Sequence, residues 1–138
     1  MRDKVLITEA LEQLEQVVEN LIKSTSDMRD IVALSESADG MLRLNGICMS
    51  FIVIGEEVKR IDRYTQKQLL PNYPSISWEN IMGMRDRIAH GYFEIDIDIV
   101  FDAVKNDIPP LLEVIKQIRF YNVSHGYPNF LVILQNEK

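Results

Sequence analysis

The chain has 138 residues, 46% of them hydrophobic, and a formal charge of −6, which fits one domain with an ordinary buried core. The acidic balance argues against a protein that coats nucleic acid through bulk positive charge, and leaves room for a small local basic site or a basic protein partner. Cys48 is the only cysteine, so no intramolecular disulfide forms, and its neighbours Ile47, Met49 and Phe51 mark a buried thiol in a reducing, cytoplasmic setting.

Met1-Arg2-Asp3-Lys4 leads into an amphipathic pattern rather than an apolar signal core. The longest uncharged apolar stretch, Leu44 to Gly55, falls short of the roughly 20 residues a bilayer crossing takes. The expectation is a soluble protein.

From Lys4 to Lys23, Leu6, Ala10, Leu11, Leu14, Val17, Val18, Leu21 and Ile22 keep helical spacing and predict a first amphipathic helix. Ser24-Thr25-Ser26-Asp27 is a cluster of cap formers, after which Met28, Ile31, Val32 and Leu34 suggest a short second helix. A third helix is expected from near Ser37 to about Gln68. Its middle (Met41, Leu42, Leu44, Ile47, Cys48, Phe51, Ile52, Ile54, Val58, Ile61) is apolar nearly all round, which predicts burial on most sides. Gly46 and Gly55 cost it about 1 kcal/mol each relative to Ala and suggest close backbone approach by a neighbour.

Pro71-Asn72-Tyr73-Pro74 is the clearest breaker. Ser75 or Ser77 can cap a fourth helix that carries Trp78 and ends near Gly91. Glu94 to Asp98 alternates with isoleucines like a strand, but Asp96 and Asp98 are good N-caps, and Val100 to Ile118 continues an apolar face, so a fifth helix is favoured, broken or kinked at Pro109-Pro110. The expected fold is an all-α bundle of about five helices spanning residues 1–123. The tail 124–138 contains the β-prone run Phe130 to Leu134 and reads either as an added strand or as an arm docking on a partner.

With Trp78 at zero on a helical wheel, Trp78, Ile81, Met82, Met84, Ile88 and Ala89 form an apolar arc centred near roughly 330°, and Arg85, at about 340°, lies inside it. A buried unpaired charge costs several kcal/mol, so a carboxylate or a subunit interface must meet Arg85. Glu56 or Glu57 on the third helix are the nearest candidates by type. Arg87 points away, as a solvated cation near a helix C-terminus does. His90 is displaced from Arg85 by about 7.5 Å along the axis and lies on another face. The two converge either through a loosened helix end or across a two-fold dimer seam, of which the seam is simpler.

Histidine titrates near neutral pH, and a guanidinium is a permanent, planar phosphate ligand, so Arg85 and His90 together suit phosphodiester chemistry. In this run Arg85, four residues, His90, one residue and Tyr92 resemble the signature of the HepT-like branch of the HEPN-domain ribonuclease toxins. Ile54-Gly55-Glu56-Glu57-Val58-Lys59-Arg60, Trp78, and Gly91 to Asp96 followed by Asp107-Ile108-Pro109 resemble that family's flanking segments, so the likeness covers roughly Leu6 to Phe120. One position departs from it: Asp86 stands where the family commonly has Asn, and its carboxylate is expected to pair with Arg85 or Arg87 and weaken phosphate binding.

The resemblance implies a HEPN-type up-and-down bundle, a homodimer whose two motifs line one cleft, and a metal-independent endoribonuclease acting on tRNA or mRNA by 2′-hydroxyl transesterification. It gives Arg85 and His90 as catalytic residues; Glu56, Asp86 and Arg87 are candidate supporting residues by their charge and their place beside the motif. It also implies a nucleotidyltransferase antitoxin that transfers AMP to Tyr92, the residue that otherwise positions substrate. No cofactor, DNA or membrane is expected.

Other readings stay open. His90 can be a simple C-terminal cap, Arg85 a structural ion pair and Tyr92 an ordinary half-buried tyrosine. The chain can be a non-catalytic helical dimer that scaffolds or regulates a nucleotidyltransferase, which Asp86 and the acidic balance favour, or a nucleotide-binding module. His125 reads as a loop residue without a role. Two distant histidines and one cysteine offer no zinc spacing. Glu94, Asp96 and Asp98 could hold Mg2+, although capping and solvation explain them more simply.

Overall fold

The computed structural model describes residues 2–28 and 32–125, with side chains over 4–28 and 33–121. The helices are α1 (Arg2–Thr25), α2 (Ala38–Tyr64), α3 (Trp78–Gly91), α4 (Ile97–Asn106) and α5 (Ile108–His125), with 3-10 turns at Val32–Glu36, Leu70–Asn72 and Tyr92–Glu94. No strand occurs among the described residues. The expected all-α bundle is therefore present. The short second helix is a 3-10 turn, and the long fifth helix is two helices.

α1 buries Ile7, Ala10, Leu11, Leu14, Val18 and Leu21, which recur every three or four residues along one face. Ile7, rather than Leu6, is the first core residue. The cap formers that follow close α1 rather than open the next helix: the Thr25 hydroxyl donates to the Leu21 carbonyl at 2.7 Å and Ser26 to that of Lys23 at 3.0 Å. Both satisfy carbonyls that a helix end leaves unpaired.

Ser37 caps α2, its hydroxyl accepting from the Gly40 N–H at 2.9 Å. The helix ends at Tyr64, short of the expected Gln68. Lys67 N–H donates to the Asp62 carbonyl at 2.8 Å and Gln66 N–H to that of Arg63 at 3.1 Å, the paired bonds of a Schellman ending. Gln66 and Lys67 hold φ of 53° and 62°, so a stop normally marked by glycine is made here without one.

α2 is long and apolar enough by length and composition to cross a bilayer; in this fold it is the central helix, packed on α1 and α3. Leu44, Ile47, Cys48, Phe51, Ile54, Val58 and Ile61 are buried, but burial does not extend to most sides, since Leu42 and Met49 are 70% and 58% exposed.

Asp96 caps α4 by accepting from Asp98 N–H at 2.9 Å, which settles the alternating segment as a helix start. The break falls at Asp107, so Pro109 and Pro110 stand in the first turn of α5, where a missing N–H leaves no bond unmade. α5 returns along α1, and Arg119 forms ion pairs with Glu15 and, at 3.6 Å, with Glu12. His125 is the last residue of α5 rather than a loop residue. Most of the expected tail, residues 126–138, lies outside the described residues.

Candidate functional site

α3 runs antiparallel to α2, with Gly55 facing Arg85 and Cys48 lying near Tyr92. A Cβ on Gly55 would collide with Arg85 Cβ and come within 2.8 Å of its Cγ, so the glycine is what lets the arginine lie flat on α2. The expected close approach thus occurs at Gly55. At Gly46 a Cβ would meet nothing within 4 Å.

The buried residues of α3 are Ile81, Met84 and Ile88, which centre its inner face nearer about 275° than the expected 330°. Ala89 is accordingly exposed and Arg85 sits at the edge of the core. Its guanidinium is held on two sides: Nε forms an ion pair with Glu56 Oε1, and Nη1 donates to Asp86 Oδ1 at 3.2 Å. Of the two glutamates considered, Glu56 is the partner. Glu57 is buried, 3.5 Å from Arg60, and its Oε2 has no hydrogen-bond partner.

Asp86 also accepts from Lys59 Nζ at 2.6 Å. Its pairing is therefore with Arg85 and Lys59, not Arg87. The Lys59 hydrogen bond, followed by that of Arg85, holds the Asp86 carboxyl below its usual range. Burial pulls the Arg85 guanidinium down, but its bonds to Asp86 and Glu56 outweigh this and leave its pKa raised. Lys59 is the site residue that the motif does not reveal. Its signal is its place one turn after Glu56, on the same face of α2.

α3 stays α-helical through Gly91, so no loosened helix end brings His90 to Arg85. Five positions apart on the helix, they lie about 140° from each other. His90 is exposed and lines a cleft of about 360 Å3 with Arg87, Gly91, Glu94, Ile95 and Asp96. Within one chain the cation beside His90 is thus Arg87. No hydrogen bond or ion pair to the imidazole forms among the described residues.

Tyr92 starts the turn after α3 and packs edge-on against Phe93, with ring centroids 5.4 Å apart. Its hydroxyl is buried and lacks a hydrogen-bond partner; burial pushes the phenol up, and Cys48 adds to this. Phe93 is 98% exposed, so it is the aromatic ring free for stacking. Among the described residues no three His, Cys, Asp or Glu side chains group as a metal site does.

An all-α bundle that displays an arginine and a histidine on two faces of one helix, the arginine oriented by a carboxylate, has the parts of a phosphodiester-cleaving protein. The family model "Ribonuclease HepT-like" matches residues 7–118, and the chain belongs to that family. It is 28% identical over 105 residues to "Putative RNase MJ0127" of Methanocaldococcus jannaschii, covering 76% of this chain and 83% of the relative. It is 30% identical over 99 residues to "Putative RNase MJ0125" of the same organism, covering 67% and 82%. To "Probable ribonuclease HepT" of Thermococcus cleftensis it is 33% identical over 67 residues, covering 49% and 57%. No solved structure matches the chain.

Proposed function

We propose that this protein is a cytoplasmic, metal-independent endoribonuclease toxin that cleaves tRNA or mRNA. The single observation that carries this reading is the Arg85 guanidinium, fixed through Nε by Glu56 and seated against Gly55, on the same helix as an exposed His90. In the reaction a ribose 2′-oxygen bonds to the adjacent phosphorus and the bond to the 5′-oxygen breaks, leaving a 2′,3′-cyclic phosphate and a 5′-hydroxyl. His90 takes the 2′-hydroxyl proton or delivers one to the departing 5′-oxygen, a role typically contributing about a hundred- to ten-thousand-fold. Arg85 stabilises charge growing on the phosphoryl oxygens.

The working form is a two-fold homodimer, because one copy alone leaves the arginine and histidine on separate faces of a continuous helix. Leu42, Met49 and Phe93, all strongly exposed, support this. Leu42, Met49 and Glu56 recur every seven residues and share one stripe of α2 to within about 40°, so a second copy covering the stripe reaches the Glu56–Arg85 pair.

The partner is a nucleotidyltransferase antitoxin that transfers AMP to the Tyr92 hydroxyl, adding bulk and negative charge that oppose RNA entry. Because that hydroxyl is buried beside Cys48, modification requires the Tyr92 ring to swing outward.

The neutralisation of Arg85 by two carboxylates favours a second reading: a non-catalytic dimer that regulates a nucleotidyltransferase. The test is incubation of the partner-free protein with tRNA and total RNA in EDTA, beside His90→Ala, with analysis of product ends. Cyclic phosphate ends lost in the variant are expected. Intact RNA from folded, dimeric protein whose Tyr92 carries no AMP by mass spectrometry would favour the scaffold reading.

A further inference from the structure

Lys59 and Arg85 come from different helices and converge on one oxygen, Asp86 Oδ1, at 2.6 and 3.2 Å. Two cations meeting at a single anionic oxygen is the arrangement that binds a phosphate. All three side chains are solvent-accessible, at 36%, 30% and 46% exposure for Lys59, Arg85 and Asp86. Glu56 engages Arg85 through Nε, so it orients the guanidinium while leaving the Nη side directed at the shared oxygen. With Glu56 and Asp86 both ionised, the four side chains sum to zero charge. Removing the Asp86 charge leaves a net cation.

The cationic surface continues from there. Lys59 and Arg63 lie one turn apart, about 6 Å along α2, Lys67 follows in the turn that ends the helix, and the three line a groove of about 510 Å3 with Asp62, Gln66 and Met82. Asp62 offsets one of the groove's charges.

We propose that Lys59 is a substrate-binding residue: it joins Arg85 in a two-cation cradle for an RNA phosphate, which the Asp86 carboxylate occupies in the free protein, and the strand continues along Arg63 and Lys67. The proposal rests on the ribonuclease reading. Asp86 acts as a built-in competitor that RNA displaces, and so sets the affinity of the site without taking part in bond cleavage.

The experiment measures binding of a labelled single-stranded RNA oligonucleotide in a His90→Ala background, where the RNA is not cut, across a salt series, with melting curves for every variant. Adding Lys59→Ala is expected to weaken binding and to lower the salt slope by about 0.7, the value for one phosphate contact on a single strand, while Lys59→Arg restores both. Asp86→Asn is expected to tighten binding about three- to tenfold. An unchanged slope in Lys59→Ala together with no gain in Asp86→Asn, in a parent protein that binds RNA, overturns the cradle and leaves the ribonuclease reading intact. No binding by any variant and intact RNA with wild-type protein overturn both. Should Lys59→Ala fail to fold, Lys59→Gln takes its place and is read beside Asp86→Asn.

Discussion

Gly55 and Arg85 lie against each other across the α2–α3 interface with no room for a Cβ between them. The contact explains how a half-buried arginine can sit beside the core at all: its aliphatic stem covers the glycine while its charged end reaches Glu56 and Asp86. Gly55→Ala is therefore expected to push α3 outward, costing about 1–3 kcal/mol of stability as overpacking does, and to lower RNA cleavage by misplacing Arg85. Denaturant midpoints and cleavage rates on the same preparation check both effects. A variant as stable and active as wild type would show that Arg85 moves aside freely.

The Schellman ending of α2 uses Gln66 at φ 53°, a conformation that costs a side chain roughly 1–2 kcal/mol. Gln66→Gly is expected to raise stability by about 0.5–1 kcal/mol, the relief of strain outweighing glycine's extra freedom in the unfolded chain. Thermal melting measures it, and a lowered melting temperature would contradict it.

Burial raises the Glu57 carboxyl above its ordinary value of 4.5, Arg60 offsetting this only in part. A carboxyl with a raised folded pKa binds its proton more tightly folded than unfolded. Stability is therefore lost as pH rises from the unfolded pKa through the folded one, and the loss persists at neutral pH. Glu57→Gln should then melt higher than wild type at pH 7, with the difference shrinking as pH falls through the raised folded pKa towards about 4.5, below which both side chains are neutral. Melting curves across pH 3–8 decide it; a constant difference would place the effect in packing instead of charge.

Met49→Lys places a charge on the exposed stripe of α2. If two copies meet there, the variant should sediment as a monomer, keep its melting cooperativity and lose cleavage, since a buried unpaired charge at an interface costs several kcal/mol. Analytical ultracentrifugation beside the cleavage assay reads this. A dimeric, active variant would move the seam elsewhere.

Periodicity alone located α1, α2 and α3, because each carries an apolar face that only helical spacing produces. Boundaries were legible where a residue type enforces them, as at Ser37 and Asp96. The end of α2 was not, since Gln66 fills a position that glycine normally signals. Proline placement showed that the last helical segment is interrupted, but not that the prolines would sit harmlessly in the first turn of α5.

For the candidate site, the sequence by itself determined that Arg85 needs an anion, because a charge at the edge of an apolar face must be neutralised. It also determined that His90 and Arg85 cannot meet on one unbroken helix, because 100° per residue separates them. Only the tertiary structure decided which carboxylate answers: the packing of Gly55 on Arg85 sets the register of α3 on α2 and brings Glu56, not Glu57, to the guanidinium. The same register carries Lys59 to Asp86, a pairing 27 residues apart in the chain. Helical spacing is a local property that the order of residues encodes directly, whereas the alignment of two helices is fixed by close contacts between segments distant in sequence.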